Sequence, residues 1–157
     1  MGSGSAQLAP VALRGYDGGT MIEARTDEDM VVRMADGEDL IAKLTALPAD
    51  SALVVCGIGM LREIELGYWN GDCYEKRRHE SPVELVSLQG TIARLGDGRA
   101  AHVHACVAAR DGTTMGGHLF AGTVHNTAEI GLRLPPGIAL ERVEEESGLT
   151  GLRPRAT

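Results

Sequence analysis

Three of the five histidines in this chain stand close together in a short stretch punctuated by glycine. His102 and His104 lie in Ala-His-Val-His-Ala, and His118 follows in Gly-Gly-His-Leu. In an extended strand, residues two apart face the same side, about 6–7 Å apart along the chain. Two imidazoles at that spacing can reach one ion, and a hairpin can bring a third beside them. Neutral imidazoles suit Zn²⁺, with Ni²⁺, Fe²⁺ and Co²⁺ as further fits, and three of them leave a coordination position open. The same spacing also suits strand histidines bonded to backbone or packed at a subunit contact.

The elements around the histidines decide between these readings. A strand over residues 100–109 puts Ala101, Val103, Ala105, Val107 and Ala109 on one face, a core face of small residues. His102, His104 and Cys106 fall on the other. Asp111-Gly112 marks the turn that follows. If Arg110-Asp111-Gly112 is a three-residue loop with Gly112 left-handed, Ala109 pairs with Thr113 and His104 stands directly opposite His118. Opposed side chains have Cβ atoms about 4.5–5.5 Å apart, and His102 becomes a diagonal neighbour. A two-residue loop would shift the register and send His118 to the other face. Gly116-Gly117 is a candidate bulge that would re-aim His118.

Other chemistry is thinner. Glu63, Glu65, Glu84 and Glu129 could supply a general acid or base beside a metal, with a solvated strand face as the ordinary alternative. His79 and His125 read as surface or loop residues, and Cys106 as a small buried hydrophobe. Gly57-Ile58-Gly59 precedes no helical pattern and is no dinucleotide fingerprint. Ser81, Ser87 and Ser147 lack a nucleophile-elbow context.

At 157 residues the chain fits one domain with its own core. Aromatic residues make up only 3%, so that core must be built from Val, Leu, Ile, Ala and Met. The formal net charge of -7 argues against simple electrostatic binding of nucleic acid, which needs a Lys/Arg surface. Lys76-Arg77-Arg78 is one short basic cluster, read as a solvated loop. Cys56, Cys73 and Cys106 are odd in number and widely spaced, which suits a reducing cytoplasm rather than a disulfide framework. No apolar run approaches a membrane span, and no secretory leader pattern is present.

Residues 1–20 read as a flexible N-terminal extension, 21–150 as the domain and 151–157 as a polar tail. A strand over residues 30–34 precedes a helix, with Asp36 as cap, Glu38 and Asp39 in its first turn, and Leu40, Ile41, Leu44 and Leu47 as its apolar face. Strand patterns follow over residues 51–59, 61–69, 83–95 (broken at Gly90), 100–109, 113–123, 124–134 and 139–145. Many strands joined by tight turns, with one clear early helix, predict an α+β domain of mostly antiparallel sheet with one or two flanking helices.

The chain resembles the PPC domain, the plants and prokaryotes conserved domain, in its stand-alone prokaryotic form. The residues that carry the likeness are Gly37-Glu38-Asp39-Leu40, Gly57-Ile58-Gly59, Leu66-Gly67-Tyr68-Trp69 and Glu84-Leu85-Val86-Ser87-Leu88-Gln89-Gly90. They continue with His102-Val103-His104-Ala105, Gly116-Gly117-His118-Leu119, Ala128-Glu129-Ile130 and Gly148-Leu149. The resemblance implies a homotrimer, a metal held by His102, His104 and His118, and an association with DNA. In plants the domain follows an Arg-Gly-Arg-Pro minor-groove reader, which this chain lacks. The architecture is more distantly similar to acetolactate decarboxylase, a zinc lyase with a His-x-His and a later His.

Three functions follow as expectations: a cytoplasmic regulatory or ligand-sensing protein with a three-histidine metal site, a metal-dependent lyase, or a trimeric scaffold. The lyase would need a carboxylate or arginine beside the metal and a pocket of about 300 Å³ or more. Whether the chain is an enzyme stays open at this level.

Overall fold

The computed structural model describes residues 20–157; the expected N-terminal extension lies outside them but for Thr20. Nine strands and one helix follow in the order β1 (Ile22–Arg25), β2 (Asp29–Ala35), α1 (Leu40–Ala46), β3 (Ala52–Trp69), β4 (Tyr74–His79), β5 (Val83–Leu95), β6 (Gly98–Ala108), β7 (Thr114–Arg133), β8 (Ile138–Glu144) and β9 (Thr150–Ala156). The pairing is antiparallel except for one parallel contact, Arg94 with Glu141, between β5 and β8. The α+β class with mostly antiparallel sheet is as expected, with one helix among the described residues.

The sheet runs β1-β2-β7-β3-β5-β8-β9, with β4 on β3 and β6 on both β5 and β7. The pairs β3–β5, β5–β6, β6–β7 and β7–β3 therefore close a ring. Alternation explains which side chains enter it. Met30, Val32 and Met34 of β2 are buried while Val31 and Arg33 face out. On β5 the buried set shifts phase, from Val83 and Leu85 to Leu88 and Ile92, because a bulge between Leu85 and Ser87 inserts one residue. Val103, Ala105 and Val107 of β6 are core residues, as the sequence predicts. Leu40 and Leu44 of α1 join the same core.

Four local expectations are corrected. Residues 51–59 and 61–69 form one strand, β3, and 113–123 and 124–134 form one strand, β7. Bulges bend β3 against β7 where turns were expected, and each strand serves three neighbours: β3 pairs with β4, β5 and β7, and β7 with β2, β3 and β6. The helix cap is Asp39, whose carboxylate accepts from Ala42 N at 2.9 Å. Asp36 instead accepts from Arg62 and from Asn126 N, and Glu38 turns back onto the Ala35 and Met21 amides. Lys76-Arg77-Arg78 lies on the short edge strand β4, not in a loop. Residues 151–156, read as polar tail, belong to β9, which pairs with β8 along its length. Only Leu152 and Ala156 of β9 are apolar, and they are interleaved with Arg153, Pro154 and Arg155, so no apolar alternation announced it.

Close backbone approach shapes the ring beside the histidines. A Cβ at Gly90 would overlap the His102 carbonyl oxygen, and one at Gly117 would lie 2.6 Å from Gly67 O. Gly90 does not break β5; it lets β5 and β6 touch at His102.

Candidate metal centre

The β6–β7 turn takes the three-residue form. Ala109 N donates to Thr113 O at 2.8 Å, Gly112 N donates to Ala109 O at 2.9 Å, and Gly112 has φ +83°. His104 then pairs with His118 and Cys106 with Gly116, and the register runs to Ala108 and Thr114 without a shift. The bulge considered at Gly116-Gly117 is absent from this ladder; Gly117 serves the approach of β3 instead.

The three imidazoles converge. Ring centroids are 5.3 Å apart for His102 and His104, 4.6 Å for His102 and His118, and 5.4 Å for His104 and His118. One ring nitrogen from each lies within 4.8 Å of those from the other two. His104 is exposed, whereas His102 and His118 are partly buried. Tyr74 and Phe120 flank His118, with ring centroids at 5.2 and 4.3 Å. Behind Phe120, Lys76 Nζ stands 4.0 Å over the ring and pairs with Glu65.

Burial lowers the pKa of both inner histidines to about 4. For His102 the Arg142 cation and the other two imidazoles add to burial; for His118 the further causes are His104, Arg142 and Lys76. No carboxylate acts on either ring to hold a proton there. Both imidazoles are therefore neutral at pH 7, the form a metal requires. His118 Nδ1 is buried and has no hydrogen-bond partner. Such an atom costs about 1–3 kcal/mol if left so, and a donor set of neutral imidazoles fits a transition metal ion.

A cavity of about 300 Å³ opens on the inner pair, lined by Tyr74, His102, His118, Phe120 and residues 148–150, the end of the β8–β9 turn and the start of β9. Arg142 of β8 closes in from the same side. It is 7% exposed, and its Nη2 donates to Thr91 Oγ1 at 3.0 Å and its Nη1 to Thr150 O at 2.8 Å. Thr91 pairs in register with His102, which sets the guanidinium beside that histidine.

The other sequence candidates lie elsewhere. Glu84 and Glu129 face solvent, Glu65 pairs with Lys76, and Glu63 accepts from Thr123. His125 sits 3.0 Å from Arg62, and His79 lies on β4 opposite Ile64. Cys106 is partly buried and stands outside the ligand cluster. The sequence reading missed Arg142, Tyr74 and Phe120. For Arg142 a signal existed: it shares the inward face of β8 with Leu140, so an arginine occupies an apolar phase.

The model of the Plants and Prokaryotes Conserved (PCC) domain matches residues 21–133. The chain belongs to this family. A plant- and prokaryote-conserved (PPC) protein of Pyrococcus horikoshii is 27% identical, with a TM-score of 0.73 over 84% of this chain and 93% of that one. A metal-containing protein of Archaeoglobus fulgidus is also 27% identical, with a TM-score of 0.70 over 78% of this chain and 90% of that one. A candidate DNA-binding protein of Bacteroides thetaiotaomicron shares the fold at 18% identity, with a TM-score of 0.77 over 86% of this chain and 98% of that one. No curated protein matches the chain. The family match ends before Arg142 and residues 148–150, so one wall of the cavity lies beyond the matched segment.

The lowered pKa values have a consequence for stability. An imidazole that binds protons more weakly when folded favours the unfolded chain wherever only the unfolded form is protonated. For His102 and His118 that window runs from pH 6.5 down to about 4, and stability falls as pH falls through it. Urea unfolding of chelator-treated protein should show a midpoint that drops between pH 7 and pH 5, with a shallower drop in His118→Gln. A flat profile across that range would contradict the burial described.

Proposed function

We propose that this PCC-domain protein is a metal-dependent ligand-binding protein with a regulatory or sensing role. His102, His104 and His118 hold one divalent transition metal ion, Zn²⁺ ahead of Ni²⁺, Fe²⁺ or Co²⁺, because neutral nitrogen donors in a set of three suit zinc with an open position. The observation that carries the reading is the orphaned His118 Nδ1 inside a cluster whose donor atoms lie within 4.8 Å of one another. The metal-containing Archaeoglobus relative supports it. The three free thiols, Cys56, Cys73 and Cys106, suit a reducing cytoplasm.

A metal-dependent lyase is the second reading, favoured by Arg142 beside the histidines and by a cavity of about 300 Å³. When bound, the metal would supply Lewis-acid polarisation of a ligand oxygen. The chain's own part would be to orient the ligand with Arg142 and to exclude water with Tyr74 and Phe120. Binding ranks ahead of catalysis because none of the glutamates considered for proton transfer joins the site.

DNA association ranks below both. It rests on family resemblance and on fold neighbours under 25% identical, among them the Bacteroides protein. Here Lys76 and Arg78 are paired with Glu65 and Glu80, and the chain carries a net charge of -7. A salt-sensitive mobility shift with duplex DNA would raise this reading above the others.

The expected homotrimer has a surface to use. Val31, Val55, Ile58 and Val86 each expose half or more of their area, on strands β2, β3 and β5. Exposed apolar patches of this kind mark association surfaces. Light scattering should give the mass of three chains, and Ile58→Glu should lower it; a monomer at micromolar concentration would remove the trimer from the account.

Elemental analysis of the purified, tag-free chain tests the metal. The expected result is about one Zn, Ni, Fe or Co per chain, falling at least tenfold in His104→Ala and in His118→Ala with the fold retained by circular dichroism. Unchanged metal content in both variants would refute the assignment.

A further inference from the structure

The two buried polar side-chain atoms without a partner among the described residues are His118 Nδ1 and Arg142 Nε. The first is accounted for by a metal. The second is not, and it belongs to the most buried charged side chain in the described structure. Its two Nη atoms are committed to Thr91 and Thr150, while no carboxylate among the described residues forms an ion pair with it. A buried cation normally has an anionic partner. Burial lowers the pKa of this guanidinium, and the Tyr74 hydroxyl is the one group that acts in the opposite sense. Even so, an arginine stays protonated at neutral pH.

Metal at the three histidines makes the imbalance larger. Two positive charges would be added beside a cation, in a site whose neighbouring groups are imidazoles, aromatic rings and Lys76, itself neutralised by Glu65. Nothing among these supplies negative charge. The position of Arg142 is set by its bonds: Nη2 is held by the residue opposite His102, and Nη1 by a residue that lines the cavity. Arg142 stands behind the lining of that cavity, bonded to Thr150 and beside His102, so an anion seated against His102 there would supply the missing charge.

We propose that the cavity binds a small carboxylate anion, held jointly by Arg142 and by the metal at His102, His104 and His118. This rests on the metal reading given above. A carboxylate fits better than a phosphate because one oxygen can accept from the free Nε–H while the other meets the metal, whereas a tetrahedral dianion brings more acceptor oxygens than these two partners can satisfy. The volume of about 300 Å³ limits the ligand to a few carbon atoms, and the Tyr74 and Phe120 rings form an apolar wall for its chain. Arg142 is a binding residue that metal retention does not need, since it contributes no metal ligand.

The test uses zinc-loaded full-length protein, with zinc content measured in every sample and ligand binding by calorimetry. Glycolate, lactate and pyruvate are the carboxylate probes. Lactamide is the neutral counterpart of lactate, and inorganic phosphate is the competing oxyanion. At least one of the three carboxylates should bind, lactamide should bind at least tenfold more weakly than lactate or not at all, and Arg142→Gln should weaken carboxylate binding at least tenfold with zinc content unchanged. If Arg142→Gln fails to fold, the comparison of lactate with lactamide on the unaltered chain still decides. Zinc retained with no carboxylate bound, or with lactate and lactamide bound alike, overturns the proposal and leaves the metal reading standing. Phosphate bound as well as the carboxylates overturns the assignment to carboxylates. Failure to hold zinc removes both.

Discussion

The site depends on one register. The turn at Arg110-Asp111-Gly112 closes with three residues, and from that choice His104 must stand across from His118. Because side chains alternate along a strand, one residue more or less in the turn would send His118 to the opposite face and dissolve the cluster. The small core face of β6 locks the same register from the other side. Val103, Ala105 and Val107 are buried, so a slip would expose them and bury His102 and His104. Hydrophobic burial and turn geometry thus specify the same pairing, and the histidines inherit their convergence from it.

Electrostatics then give the convergent residues their character. β4 brings Tyr74 and β7 brings Phe120 against His118, and β8 brings Arg142 against His102. Burial and neighbouring positive charge act together to keep both inner imidazoles neutral. A structural site for histidine would be expected to satisfy each ring nitrogen with backbone or carboxylate. This one leaves Nδ1 of His118 bare and sets one ring nitrogen of each of the three histidines within 4.8 Å of the others. Neutral, unprotonated ring nitrogens are the donors a transition metal takes, while the Arg142 charge beside them calls for an anion in the same site.

Much of this was legible from residue order. Alternation on β6, the Asp-Gly turn and the apolar phase of β2 needed only period-two reasoning, and they delivered the histidine triad. What escaped had physical reasons. Bulges replaced turns along β3 and β7, because a bulge needs no turn residue in the sequence and bends a strand without ending it. β4 and β9 are polar edge strands held by ladder hydrogen bonds, with little apolar pattern to betray them. Asp36 looked like a helix cap, yet Asp39 lies next to the first helical residue and its carboxylate reaches the Ala42 amide. Arg142 comes from a hairpin far from the histidines in sequence, and only the closure of β8 onto β5 brings it to Thr91.

The central claim is that three imidazoles from one hairpin hold a single metal ion. Diffraction from crystals of zinc-loaded protein, recorded on both sides of the zinc absorption edge, tests it most directly. The account predicts one anomalous peak per chain, within bonding distance of ring nitrogens from His102, His104 and His118. A zinc-loaded crystal with no peak among these three residues, or with its zinc on other side chains, would contradict it.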